Sequence, residues 1–332
     1  MLSNFIDAHI HINQYNSVLP EIANEHHVSL LSINTDIPFF PKLEIQEDII
    51  LQFQKSFSNV HFIASFPMSD WHQEDWAEKS KSRIVQSMRN GAKGVKLWKN
   101  IGMNPLLKNV SGKFLMIDHE ILSPVFKYME EKSIKLVGHQ GEPRNCWLPL
   151  DQMTMNSDRN YFAQHPEYHM YLHPEYPTYN EQMEARDHML DKYPMLAYVG
   201  LHLFSMEWSL IEVDKRLDKY PNTMTDLAER ICHVQYQSKK NRASVIEFFT
   251  KHQDRIIYGT DVIDDGSVSS DAIKERILHL WQYHYEYFAT DATMQAEEFD
   301  GSFRGLNLDT KIIEKIFLLN AMKTYNIPYP KK

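Results

Sequence analysis

The chain has 332 residues, 43% hydrophobic and 24% charged, an ordinary globular composition with ample material for a core, so it is expected to fold on its own. Its formal charge of −9 and the lack of any Lys/Arg block argue against nucleic acid or an anionic membrane surface as partner and leave a small molecule as the expected ligand. Cys146 and Cys232 are too few for a disulfide scaffold. No apolar run is long enough for a membrane span, and no secretory signal is visible at Met1-Leu2-Ser3-Asn4, so the cytoplasm is the expected location.

In chain order, eight short apolar, β-branched-rich runs read as strands, at 4–12, 28–34, 60–66, 92–98, 135–140, 195–202, 223–227 and 255–261. Several are apolar almost throughout, as parallel strands covered on both faces should be. Helical patterns lie between them; Ser269-Ser270-Asp271 and Asp309 each supply a capping residue just before an apolar stripe. This βα alternation predicts an α/β protein formed by a single (β/α)8 barrel over residues 1–332, with a doubly wound open sheet as the weaker option.

The connection after the fifth strand exceeds a bare crossover. Residues 142–190 are read as an inserted lid or pocket wall, since barrel sites are built from such loops. The segment repeats a tetrapeptide, His165-Pro166-Glu167-Tyr168 and His173-Pro174-Glu175-Tyr176, for which local turn chemistry is the plain explanation.

Polar residues gather at strand ends. His9 and His11 share one side of the first strand, because side chains there repeat every second residue. Lys96 lies in the fourth strand, His139 near the end of the fifth, His202 at the end of the sixth and Asp261 at the end of the eighth. Carboxyl ends of barrel strands converge on one cavity, so three or four imidazoles and a carboxylate form a cage suited to zinc, manganese or iron.

These residues resemble the amidohydrolase superfamily, in particular its amidohydrolase-2 branch. The resemblance rests on His9-x-His11, Gly94-Val95-Lys96-Leu97, His139, His202 and Thr260-Asp261 in order, with Pro221 to Leu227 like that branch's seventh strand and Asn320-Ala321 near the C-terminus. It implies a divalent metal, zinc first, held by His9, His11, His139 and Asp261. His202 is either a further ligand or an acid/base and orienting group. Lys96 is left open between a carboxylated bridge to a second ion, a point charge for a substrate carboxylate or oxyanion, and a place in the barrel wall. The implied activity is hydrolysis of an amide, lactone or ester by metal-activated water, with Asp261 moving the proton and His202 stabilising the oxyanion. Decarboxylation of an aromatic or muconate-type acid is the alternative reaction, and a catalytically silent ligand-binding barrel a third.

Arg230, just past the seventh strand, is placed to clamp a carboxylate, against the plainer reading of a solvated surface arginine. Arg144, Trp147 and Tyr161 of the long connection are candidate pocket residues, and Glu142 is read as ending a turn. The branch often has glycine where this chain has Phe204, which is expected to narrow the pocket or shift the following helix. His26, His27, His61, His165, His169 and His173 join no constellation and are read as surface or packing residues. Oligomeric state is not legible, and a homodimer stays open.

Overall fold

The computed structural model describes residues 4–330. The barrel strands are β1 (Phe5–Ile12), β2 (Val28–Ile33), β3 (Val60–Ser65), β4 (Val95–Leu97), β5 (Leu136–Gly138), β6 (Tyr198–Gly200), β7 (Thr223–Asp226), β8 (Ile256–Ile257) and β9 (Val262–Asp264). All pair in parallel, in the order β8-β7-β6-β5-β4-β3-β2-β1-β9. Each expected run contains a strand, and the open-sheet option falls away because the ring closes.

Closure runs through an interruption. The expected eighth strand, 255–261, is paired as a ladder with β7 only at Ile256–Ile257, and β9 then takes over the pairing with β1. Between them the Ala8 amide donates to the Tyr258 carbonyl at 3.1 Å and the Asp261 amide to the His9 carbonyl at 2.7 Å. β8 and β9 are therefore two halves of one broken strand. Gly259 sits at the break because a Cβ there would lie 2.6 Å from the His9 Cβ, closer than side-chain atoms can approach.

Two apolar layers separate inside from outside. Ile6, Ala8, Leu31, Ile33, Ile63, Val137, Val199, Leu201 and Ile257 pack inside the barrel, closed by Leu318, Ala321, Tyr325 and Ile327 from the C-terminal helices. The larger layer, between sheet and helices, takes Ile10, Ile12, Val95, Leu97 and the apolar helix faces.

Strand β1 changes sides midway. Ile6 and Ala8 face the interior, yet Ile10 and Ile12 belong to the outer layer, and the β1–β2 register shifts between Asp7 and Ile10. A bulge of this kind reverses the alternation, so His9 and His11 follow Ala8 on the interior side.

Both helix caps read from the sequence are present. Ser269 accepts from the Ala272 amide ahead of the helix Ser270–Ala289, and Asp309 from the Lys311 amide ahead of Thr310–Glu314. Asn320 donates to the carbonyls of Gln253 and Ile256 at 2.8 and 2.7 Å, tying the C-terminal helix to the start of β8. A hairpin of β10 (Thr293–Ala296) and β11 (Phe299–Arg304) lies outside the barrel, Phe299 meeting Tyr236 of the helix Ile231–Lys251. No helix among the described residues is long and apolar enough to cross a membrane.

The stretch 142–190 has two parts. Its last portion, the helix Tyr179–Lys192, carries a Thr178/Glu181 capping box and buries Met183, Met189 and Leu190 in the main core, as a crossover helix does. The rest is short 3₁₀ turns and the helix Asn156–Gln164 around a small core of Cys146, Met153, Phe162 and Met170. The two tetrapeptides are copies of one turn: each tyrosine amide donates to the carbonyl of its histidine, at 3.0 Å in the first and 3.1 Å in the second.

Candidate metal centre

His9, His11 and Asp261 meet at the barrel mouth. His9 Nε2 lies 3.1 Å and His11 Nε2 3.2 Å from the same oxygen, Asp261 Oδ1. Despite that proximity, His9 Nε2 and Asp261 Oδ1 are buried and make no hydrogen bond. Ligands about 2.0–2.1 Å from a tetrahedral ion stand about 3.3 Å apart, which is the spacing seen here. The atoms crowd as donors to a common cation do, so the residues fit a divalent metal.

Electrostatics agree. Burial pushes the His9 imidazole down, but the carboxylates of Asp261 and Asp226 outweigh it and lift its pKa to about 9. Asp261 meets the same burial from the other side, and His9 and His11 hold its carboxyl well below the usual range. A proton on His9 thus does between these groups what a cation would do, and a divalent ion would replace it. Burial lowers the pKa of His11 and takes His139 and His202 well below the ordinary imidazole value, leaving them neutral, as ligation requires.

His202 reaches the mouth through an unusual backbone. With Leu201 in the interior layer, simple alternation would turn His202 outward. Instead His202, Leu203, Phe204 and Ser205 all have positive φ, 55°, 57°, 60° and 53°, one turn of left-handed helix. That turn aims the His202 amide at Asp226 Oδ1, 2.5 Å away, and sets its ring 4.9 Å from His9 and 4.2 Å from His139, centroid to centroid. His202 Nδ1 lies 2.9 Å from the Ala228 carbonyl. A carbonyl only accepts, so Nδ1 carries the proton and Nε2 a lone pair.

His139 therefore joins the cluster through His202. Lys96, 1% exposed, projects into the same interior, where burial pulls its pKa down to about 8 against the opposing pull of Asp261 and Asp226. Most of its amine is still protonated at neutral pH.

Several residues that shape the site escaped the sequence reading. Asp226, at the end of β7, holds His9 Nδ1 at 2.6 Å. Asp7, on the outer side of β1, accepts from the Thr260 amide at 3.0 Å, the Thr260 hydroxyl at 2.7 Å and Trp281 Nε1 at 2.9 Å. Those bonds fix the residue before Asp261, whose own φ is 65°. Glu229, also at positive φ, places a carboxylate oxygen within 4.8 Å of a His202 nitrogen and an Asp261 oxygen. Position could have marked Asp226, at the end of β7, and Glu229, just beyond it, whereas Asp7 lies inside β1 and carries no such mark.

Arg230 is 7% exposed, not a solvated surface residue; its Nη1 lies 3.0 Å from Glu229 Oε2 and its Nε is buried with no partner. Burial works against its charge, yet Glu229, Glu207 and Asp158 keep the guanidinium firmly protonated. Its charge is felt by both His139 and His202. Glu207, fully buried, has its carboxyl pushed up to about 7 by that burial and accepts from the Arg144 amide at 2.9 Å.

The pocket candidates of the long connection divide. Arg144 lies over the Trp208 ring at 4.0 Å, and Trp147 packs edge-on against Tyr179. Tyr161 is half-exposed and stacks with His165 and Tyr168 within its own segment. Glu142 forms an ion pair with Lys99. Phe204 is buried beside Tyr198 and Gly200, where a Cβ on Gly200 would lie 2.3 Å from its ring; it packs the wall of β6 and leaves the mouth clear. His61 and His169 are buried packing residues, and His169 Nε2 lies 2.8 Å from the Leu148 carbonyl.

The sequence pattern that defines the amidohydrolase family, its amidohydrolase-2 branch, matches residues 70–327. The chain belongs to that family of enzymes. Among solved structures it is similar to an amidohydrolase candidate from Staphylococcus aureus, with 14% identity over 98% of this chain and 100% of that one and a TM-score of 0.53. It is also similar to an uncharacterized TIM-barrel protein from Bordetella bronchiseptica, with 13% identity, 96% and 97% coverage and a TM-score of 0.52. A 2,6-dihydroxybenzoate decarboxylase, solved with 2,6-dihydroxybenzoate, matches with 14% identity, 98% and 100% coverage and a TM-score of 0.52. No curated protein matches by sequence.

Proposed function

We propose that the chain is a metal-dependent hydrolase acting on a small-molecule amide, lactone or ester. The observation that carries this reading is the convergence of His9 Nε2, His11 Nε2 and Asp261 Oδ1, two of the three atoms buried and without a hydrogen bond. His9, His11 and Asp261 would hold the ion, zinc first and manganese or iron next, with His139 and His202 beside them. A divalent ion there lowers the pKa of a water from 15.7 towards about 7 and polarises a carbonyl.

The residues supply the rest. Asp261 Oδ2, 4.0 Å from His202 Nε2, accepts the proton of the attacking water and returns it to the leaving group. The tautomer set by the Ala228 carbonyl makes His202 Nε2 a ligand or a proton acceptor rather than a donor to an oxyanion. Lys96, buried and largely protonated, takes that role as a positive point charge. Arg230 orients the substrate, its unpartnered Nε offering a donor to a carboxylate.

Arg230 also favours a second reading, decarboxylation, because a buried guanidinium beside the site suits an acidic substrate. The solved decarboxylase of similar fold acts on such an acid by its name, and the same cage serves either reaction.

Three measurements test the proposal. Elemental analysis of freshly purified protein should show tightly held divalent metal, lost in His9→Ala; protein free of metal removes the basis of the scheme. Lactones, amides and esters should then be assayed beside aromatic acids, where carbon dioxide release from the acids alone would replace hydrolase with lyase. Arg230→Met should raise KM at least tenfold for carboxylated substrates and leave neutral ones unchanged.

A further inference from the structure

The rim around the histidines and Asp261 is charged on one side and apolar on the other. After β4, β5 and β7 it carries the ion pairs Lys99–Glu142 and Arg230–Glu229. Across the ring, the loop 35–41 that follows β2 carries Phe39 and Phe40. The Phe40 ring lies 5.1 Å from the His11 ring and 5.3 Å from the Phe39 ring, centroid to centroid, and Phe39 is 71% exposed. We propose that Phe39 and Phe40, with Ile263 of β9, form a subsite for an aryl or similarly bulky hydrocarbon group of the substrate. The inference rests on the metal-centre reading above and gives the chemistry of one end of the substrate, the end remote from Arg230.

Three features support it. The first is that the loop is tied into a fixed shape. Gln46 of the helix Leu43–Gln54 is fully buried and joins the two ends of the loop. Its Oε1 accepts from the Thr35 amide at 2.9 Å, and its Nε2 donates to the carbonyls of Thr35 and Pro41 at 2.9 and 2.6 Å. Asp36 Oδ2 accepts from the Met68 amide at 3.1 Å, which fastens the loop to the connection after β3. Rings carried on a preformed loop lose little freedom when a ligand packs on them, so more of the burial energy appears as affinity.

The second is position. β1 has β2 on one side and β9 on the other, and the β1–β9 ladder pairs His11 with Ile263. Ile263 is 37% exposed. Apolar side chains therefore flank His11 from both neighbouring strands, where a group attached to a metal-bound carbonyl would lie.

The third is what backs His11. His9 Nδ1 has Asp226 as its outer partner and His202 Nδ1 has the Ala228 carbonyl, whereas His11 Nδ1 is buried and has no partner. The Phe40 ring packs on the imidazole instead, tilted by 58°. This side of the centre is thus lined with hydrocarbon and lacks polar partners, which is the environment that favours an apolar ligand group.

Hydroxamates test the subsite without turnover, because the hydroxamate group chelates the ion whatever reaction the enzyme performs. In calorimetric titration, zinc-loaded wild type should bind benzohydroxamate about tenfold more tightly than acetohydroxamate, as burial of a phenyl ring in place of a methyl group predicts. Phe39→Ala and Ile263→Asn, both at exposed positions, should each cut that preference roughly threefold and leave bound zinc and acetohydroxamate affinity unchanged. Phe39→Trp should keep the preference. Equal affinity for the two compounds in wild type, or a preference that survives in either Phe39→Ala or Ile263→Asn, overturns the inference and leaves the metal centre standing. Affinity for both compounds falling together in those variants also overturns it, since the side chains would then support the ligands and not the substrate. Failure of wild type to hold zinc overturns the metal-centre reading itself.

Discussion

Asp226 holds His9 from behind: Oδ2 lies 2.6 Å from His9 Nδ1, while Oδ1 accepts from the His202 amide at 2.5 Å. One buried carboxylate thus sets the tautomer of one imidazole and the backbone position of another. With Nδ1 donating, His9 Nε2 is the nitrogen whose lone pair faces Asp261. Asp226→Asn can present an amide N–H to Nδ1, moving the ring proton to Nε2 and spoiling it as a ligand. Losing such an outer partner typically costs 10–100-fold in metal affinity. Competition against a chelator of known strength should show a loss in that range, and unchanged affinity would refute the role assigned to Asp226.

Gly259 should tolerate no side chain. An added Cβ would lie 2.6 Å from the His9 Cβ and 3.1 Å from its amide nitrogen, and main chain cannot swing aside as a long side chain can. Gly259→Ala is expected to push β1 and the broken eighth strand apart and so separate His9 from Asp261. Thermal unfolding should show a lower Tm, and metal titration a loss at least as large as that of Asp226→Asn. A variant with wild-type stability and metal content would show that the strand break is looser than these distances indicate.

The barrel was legible because parallel strands covered on both faces must be apolar, and β1 to β7 each fall inside an expected run. The donors at strand ends followed from the convergence of those ends. What sequence periodicity misses is irregular backbone. The register shift between Asp7 and Ile10 returns His9 and His11 to the interior, and four left-handed residues return His202. The partners holding those irregularities were hidden for the same reason. Asp7 is a lone acid in an apolar strand until Thr260 and Trp281, more than 250 residues away, are seen to donate to it. The burial of Arg230 was not legible because its neighbours Glu207 and Asp158 come from other connections.

Acid should destabilise the fold through histidines remote from the metal ligands. Burial lowers the pKa of His61 to about 4 and of His284 to about 3, from 6.5. The unfolded chain therefore binds protons between pH 6.5 and 4 that the folded chain refuses, so stability rises with pH across that window and is lost as pH falls. At pH 5 each group should cost about 2 kcal/mol relative to neutral pH. Urea unfolding of wild type and His61→Leu at pH 7 and pH 5 isolates one of them: the variant should lose about 2 kcal/mol less between the two. Equal losses would mean that His61 is protonated in the folded state.

The left-handed turn 202–205 stores strain that one substitution should release. Non-glycine residues in this conformation cost roughly 1–2 kcal/mol each. Leu203 and Phe204 offset that cost with fully buried side chains, and His202 carries a site nitrogen, but Ser205 is buried with only a small side chain to contribute. Its main chain does the anchoring: the Ser205 amide donates to the His202 carbonyl at 3.0 Å, and its carbonyl accepts from the Tyr179 hydroxyl at 2.7 Å. Glycine keeps both bonds and removes the Cβ clash, although it adds freedom to the unfolded chain that returns part of the gain. Ser205→Gly should therefore raise stability by about 1 kcal/mol in urea unfolding, with metal affinity unchanged because His202 stays where Asp226 and Ala228 hold it. A loss of both stability and metal would show instead that the Ser205 side chain is what keeps the turn left-handed.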